Sequence, residues 1–126
     1  MMVIDNSVMA DLIVYPEILT SPDPDQDWWA PTHLDAEFVN VLRRYVNSGR
    51  LTGPEAHECL DTFTSLEIHR WQLDAPTRRR MLDLGQRLTA YDAAYVVVAE
   101  ALDAPLITRD ARLARTALDY VDCRLV

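Results

Sequence analysis

Short β-branched or aromatic runs alternate along this chain with longer segments of helical period. Val3-Ile4 is a brief apolar run that stops at Asp5, and Asn6-Ser7 offers a helix cap ahead of Val8, Met9, Leu12 and Ile13. The stretch from Thr20 to Asp27 is rich in turn formers and acids and reads as an exposed loop. Trp28-Trp29-Ala30, stopped by Pro31, predicts a second strand. From His33 to Asn47, Leu34, Phe38, Leu42 and Tyr45 recur at spacings of three and four and form the apolar stripe of a helix, which Ser48-Gly49 ends. Pro54 sits near the start of the next helix, where its missing N–H is harmless, and that helix reaches about Phe63. Glu67 to Trp71 predicts a third strand. Thr77 to Leu88 predicts a helix with Arg78-Arg79-Arg80 in its first turn. Tyr91 to Leu102 is apolar nearly all round, so this helix belongs in the middle of the fold. Pro105 to Thr108 reads as a fourth strand, Asp110 to Leu118 as a helix and Cys123 to Val126 as a last strand.

Strands alternating with helices imply an α/β fold, a parallel sheet covered on both faces. The 126 residues fit one domain, residues 1–126, with enough core to fold without staples. No repeat or low-complexity tract interrupts it. No apolar run approaches the roughly 20 residues of a membrane span. Met1 to Asp5 lacks the basic start of a secretory signal, so the expected compartment is the cytoplasm. Cys59 and Cys123 have no metal-type spacing and are expected as free thiols, with a disulfide left open.

Charge narrows the options further. Asp and Glu number 20 against 12 basic residues, every one of them Arg, for a net charge of −8. This is a poor profile for gripping nucleic acid through a broad basic face; a nucleic acid held here must be gripped by local Arg clusters and by bound cations. An acidic surface also suits a basic protein partner, or serves solubility alone.

Ligands of an open parallel sheet bind outside the carboxyl ends of its strands. Asp5 follows the first strand, Glu37 lies early in the helix after the second, Asp110 follows the fourth, and Asp92 lies near the start of the interior helix. Each has an ordinary local role open to it, as a helix cap or a solvated charge. Caps do not require four carboxylates at one edge, however, and four together either raise one another's pKa or hold cations. Oxygen donors without His or Cys favour Mg²⁺ or Mn²⁺ over Zn²⁺. Asn40 and Arg44 lie on Glu37's side of its helix. Asn40, like Ser7 beside Asp5, could orient a carboxylate or a water.

These residues also carry a resemblance. Val3-Ile4-Asp5-Asn6-Ser7 resembles the opening of PIN domains, a hydrophobic strand followed by Asp-x-Ser. Leu34-Asp35-Ala36-Glu37-Phe38-Val39-Asn40-Val41-Leu42-Arg43-Arg44 resembles their second motif, Leu88 to Tyr95 their third, and Ala104 to Ala114 their fourth. The four motifs come in the right order across the chain, and the likeness is to the VapC-type toxins, single-domain PIN ribonucleases. The resemblance implies a five-stranded parallel sheet in the order 3-2-1-4-5, flanked by helices. It implies Mg²⁺- or Mn²⁺-dependent cleavage of RNA and a VapB-type antitoxin whose tail blocks the site. On it, Asp5, Glu37, Asp92 and Asp110 match the catalytic, metal-binding acids, and Ser7, Asn40 and Thr108 the supporting polar positions. A homodimer is the expected assembly. Asn6 departs from the small residue commoner after the first Asp, and residues 19–29 carry no motif.

Two other readings compete. One is a PIN fold that binds RNA or protein without cutting; the intact set of four acids argues against it. The other is a phosphatase-like enzyme, which needs a second acid two residues after its nucleophilic Asp. Ser7 stands at that place.

Overall fold

The computed structural model describes residues 1–17 and 22–126. In chain order these form β1 (Met2–Ile4), α1 (Asn6–Val14), β2 (Trp28–Pro31), α2 (Leu34–Asn47), α3 (Gly53–Ser65), β3 (Ile68–Trp71), α4 (Ala75–Asp83), α5 (Ala90–Leu102), β4 (Leu106–Thr108), α6 (Ala111–Ala117) and β5 (Cys123–Leu125). The strands make one parallel sheet in the order β3-β2-β1-β4-β5. Val3 stands opposite Trp29 on one side and Leu106 on the other. The expected fold class and strand order are both present.

The chain moves along the sheet in one direction from β1 to β3, then crosses back to β4 and on to β5. Right-handed crossovers place helices laid down in opposite directions on opposite faces. Accordingly α1, α2 and α3 pack on one another, while α4 packs on α5, which lies across β1, β2 and β4. The reversal leaves a crevice between the carboxyl ends of β1 and β4.

The core explains the pattern. Val3, Ile4, Leu106 and Ile107 fill the centre of the sheet, and Ala93 to Ala99 of α5 are all buried. An all-apolar helix over central strands is what its composition demands. Phe38 of α2 stacks on Phe63 of α3 with ring centroids 4.3 Å apart. Leu34, Phe38 and Leu42 are buried as the stripe predicts, whereas Tyr45 is only half-buried and turns toward the crevice. Cys59 and Cys123 are free thiols. Among the described residues no helix is long and apolar enough to cross a membrane.

Three boundaries differ from expectation. The cap of α1 is Asp5, which accepts from the Ser7 and Val8 amides, and not Asn6 or Ser7. The carboxylate outcompetes them because the strand delivers it in extended conformation just outside the helix. The helix α4 starts earlier and ends sooner than Thr77 to Leu88. Asp74 caps it, Pro76 falls in its first turn, and Gly85 at φ +85° follows its end. The Arg78-Arg79-Arg80 run therefore lies past the first turn. Of the expected loop from Thr20 to Asp27, Thr20 and Ser21 lie outside the described residues; the remainder forms turns pinned by Trp28 Nε1 donating to the Asp23 carbonyl at 2.9 Å.

The start of α5 fixes one of the site acids. Thr89 caps it, its hydroxyl accepting from the Asp92 amide at 3.1 Å. Thr89→Ala should lower stability by about 1 kcal/mol, read as a shift of the urea midpoint at unchanged m-value. An unchanged midpoint would mean that tertiary packing alone holds this helix start.

Candidate active site

Four helix starts meet at the crevice. Asp5 and Asp110 are the N-caps of α1 and α6, and Glu37 and Asp92 lie in the first turns of α2 and α5. All four acids line one open pocket of about 510 Å³, together with Asn6, Ser7, Val41, Arg44, Tyr45, Tyr95 and Arg109. Residues spread over more than a hundred positions are thus brought together by the sheet.

Asp5 is the deepest, 6% exposed. Its Oδ1 accepts from the Ser7 amide at 3.0 Å, the Ser7 hydroxyl at 2.5 Å and the Val8 amide at 3.3 Å; its Oδ2 accepts from the Thr108 hydroxyl at 2.7 Å. Those two hydroxyls also accept in turn. Ser7 Oγ takes the Arg109 amide at 2.9 Å, and Thr108 Oγ1 takes the Asp110 amide at 3.0 Å. One carboxylate therefore ties the end of β1 to the turn that presents Asp110. Burial pushes the Asp5 pKa up to about 6 against the opposing pull of its hydrogen bonds.

Glu37 is held from α5. The Tyr95 hydroxyl donates to its Oε1 at 2.7 Å, and His33 Nε2 lies 3.2 Å from the same oxygen without the alignment of a hydrogen bond. Burial, then the charges of Glu37, Asp5 and Asp92, raise the Tyr95 phenol well above its ordinary pKa, so it stays a donor. Asp92 is also pushed up, first by burial and then by repulsion from Asp110 and Glu37. Arg112, at 3.5 Å, pulls it the other way. Asp110 uses Oδ1 to cap α6, accepting from the Arg112 and Leu113 amides.

Of the supporting positions, Ser7 and Thr108 are in the network, and Asn40 is not. Asn40 is exposed on α2 and does not line the pocket. Helix geometry explains this: at about 100° per residue, positions four, seven and eight after Glu37 turn toward the pocket as Val41, Arg44 and Tyr45, while the third falls outside that arc. The sequence reading missed Tyr95 and His33. A lone hydroxyl inside an apolar helix was the available signal for Tyr95, because a buried phenol requires a partner. It also missed that Asp11 pairs with Arg109 at 2.7 Å on the pocket wall.

Hard oxygen donors at a desolvated, mutually repelling edge suit a divalent cation of the Mg²⁺ or Mn²⁺ class. Among the described residues no three acidic, His or Cys side chains are drawn close enough to chelate an ion as they stand.

The Asp5 shift carries a sign. Its folded pKa of about 6 exceeds the ordinary 3.8, so between those values the folded protein binds more protons than the unfolded chain. Ion-free stability must then fall as pH rises through this window, by about 3 kcal/mol at most. Urea unfolding in EDTA from pH 4.5 to 7.5 should show the fall in wild type and a flatter profile in Asp5→Asn, which should be the more stable of the two at pH 7.5. Parallel profiles would contradict the assignment to Asp5.

Comparison with known proteins bears on the family and the fold. A model of the PIN domain matches residues 2–118. The chain is 38% identical over 97 residues to Ribonuclease VapC12 of Mycobacterium tuberculosis, covering 77% of this chain and 74% of that protein. It is 40% identical over 85 residues to Ribonuclease VapC1 of the same organism, covering 68% and 64%. In structure it is similar to Mycobacterium tuberculosis VapC20, described as a sarcin-ricin loop cleaving toxin, with a TM-score of 0.66 and 16% identity over 98% of this chain and 99% of that one; this likeness is one of fold. By matched length, strand order and identity alike, the chain belongs to the PIN-domain family, among the VapC proteins.

Proposed function

We propose that this chain is a toxin endoribonuclease that hydrolyses RNA phosphodiester bonds with Mg²⁺ or Mn²⁺ held by Asp5, Glu37, Asp92 and Asp110. One observation carries the reading: those four acids line a single pocket at the carboxyl edge of the sheet. The names of its relatives, Ribonuclease VapC12 and Ribonuclease VapC1, support the reaction class. When bound, the ion supplies Lewis-acid polarisation of the phosphate and a lowered water pKa.

The chain's own residues do the rest. Ser7 and Thr108 fix Asp5 so that Oδ2 keeps acceptor capacity beyond the Thr108 bond. Tyr95 occupies Glu37 Oε1 and so sets the direction of Oε2, which can orient a water or take its proton. Arg44 lines the pocket, is exposed, and has no carboxylate partner among the described residues, so it can meet an RNA phosphate. We assign the supporting polar roles to Ser7 and Thr108, which bond Asp5, and not to Asn40, which is exposed outside the pocket lining.

The same reading includes a VapB-type antitoxin, whose basic tail an acidic pocket on a chain of net charge −8 would receive. It also includes a homodimer and action in the cytoplasm.

Asp92→Asn and Asp110→Asn should each slow RNA cleavage by roughly 100-fold or more without unfolding the protein. Asp35→Asn should stay active, since Asp35 pairs with Arg70 at 2.8 Å and does not line the pocket. A gel assay with Mn²⁺ and single-stranded RNA reads this out. Full activity in either site variant would refute the assignment, and Mn²⁺ binding without any wild-type cleavage would leave a binding module instead. Arg44→Ala should raise KM about tenfold with kcat nearly unchanged, and should lower the salt dependence of kcat/KM by about one phosphate contact. A loss confined to kcat would instead place Arg44 at the reacting phosphate.

A further inference from the structure

Arg112 breaks a local rule. It is the second residue of α6, where the positive end of the helix dipole disfavours a cation. Its guanidinium reaches back over the site, with Nη2 at 3.5 Å from Asp92 Oδ2 and 4.0 Å from Asp110 Oδ2. These contacts are long. The forks of this protein that look structural are tight and two-pronged, as in Arg70 on Asp35 at 2.8 and 3.1 Å or Arg80 on Glu100 at 2.8 and 3.0 Å. Arg112 instead stays 60% exposed and touches each acid with one nitrogen. Arg109, which lines the pocket where Arg112 stands outside its lining, is committed to Asp11 at 2.7 Å.

At Asp110 the oxygen that Arg112 faces is the one that the α6 cap leaves open. Asp110 Oδ1 is occupied by the α6 amides, so Oδ2 is its available donor. A guanidinium thus sits where two carboxylate oxygens converge on one positive charge. A divalent ion, smaller and doubly charged, would compete for that position with a loosely held, solvated group. Once displaced, the guanidinium remains tethered at the rim beside the ion. Beside a bound cation its charge would be free to pair with an RNA phosphate.

We propose that Arg112 is a substrate-phosphate ligand of this site that rests on Asp92 and Asp110 until a divalent cation displaces it. The inference rests on the nuclease reading above. It predicts two effects of opposite sign from one substitution, which a merely structural residue would not give. In Arg112→Gln, Mn²⁺ titrated calorimetrically in the absence of RNA should bind about two- to fivefold more tightly, because the competing charge is gone. At saturating Mn²⁺, KM for single-stranded RNA should rise about three- to tenfold while kcat holds within about twofold. Arg115→Gln is the control for net charge: Arg115 is exposed on the same helix, pairs with neither Asp92 nor Asp110, and its loss should move neither quantity.

Unchanged or weaker Mn²⁺ binding in Arg112→Gln overturns the resting contact. An unchanged KM overturns the phosphate role. Equal shifts in Arg115→Gln overturn both, because they reduce the effect to overall charge. A wild type that binds Mn²⁺ but cuts no RNA defeats the nuclease reading, and the phosphate role with it, while the calorimetry still decides the resting contact. A wild type that binds no Mn²⁺ defeats the cation site and this inference together.

Discussion

A carboxylate is buried at the carboxyl ends of two paired strands, and it must find donors there or be expelled. Asp5 solves this with four hydrogen bonds, two from the first amides of α1 and two from the hydroxyls of Ser7 and Thr108. Each of those hydroxyls accepts an amide from the turn after β4, so satisfying Asp5 also sets the backbone that presents Asp110. An unsatisfied buried carboxylate would cost several kcal/mol. Even with four donors the group retains a raised pKa, because burial holds its charge under electrostatic tension.

That tension is spread over the whole edge. Asp92 is raised by its neighbours as well as by burial, and Tyr95 senses three of the four acids. Four helix N-termini point into the same crevice, and each partial positive charge stabilises an acid by about 0.3–1 kcal/mol. The helix starts therefore make the cluster tolerable without neutralising it. At Asp5 and Asp110 the helix cap is also a pocket-lining acid.

Positive charge is distributed sparingly around this edge. Arg109 is tied to Asp11 on the pocket wall, Arg112 leans on Asp92 and Asp110, and Arg44 stands on α2 without a carboxylate partner among the described residues. A chain of net charge −8 cannot hold a polyanion by general attraction. Where each of these few guanidiniums sits therefore matters more than how many there are.

The sequence by itself determined the element order, the interior helix and the candidate acids. Those follow from local periodicity, from Gly and Pro punctuation and from motif spacing, all of which act within a few residues. It also carried the strand order through resemblance to a family. It misplaced the ends of α4, because Asp74 and Gly85 punctuate that helix more strongly than the apolar pattern does. Tertiary structure alone decided which side chains meet. Asn40 lost its place because the pocket arc on α2 runs through Val41, Arg44 and Tyr45. Tyr95 gained one because α5 crosses the sheet where Glu37 enters it, 58 positions earlier in the chain. Asp11 and Arg109, unremarkable in sequence, close into a pair only because α1 and the turn after β4 share the crevice. Contacts between distant segments depend on crossover direction and helix rotation, and no window of neighbouring residues records either.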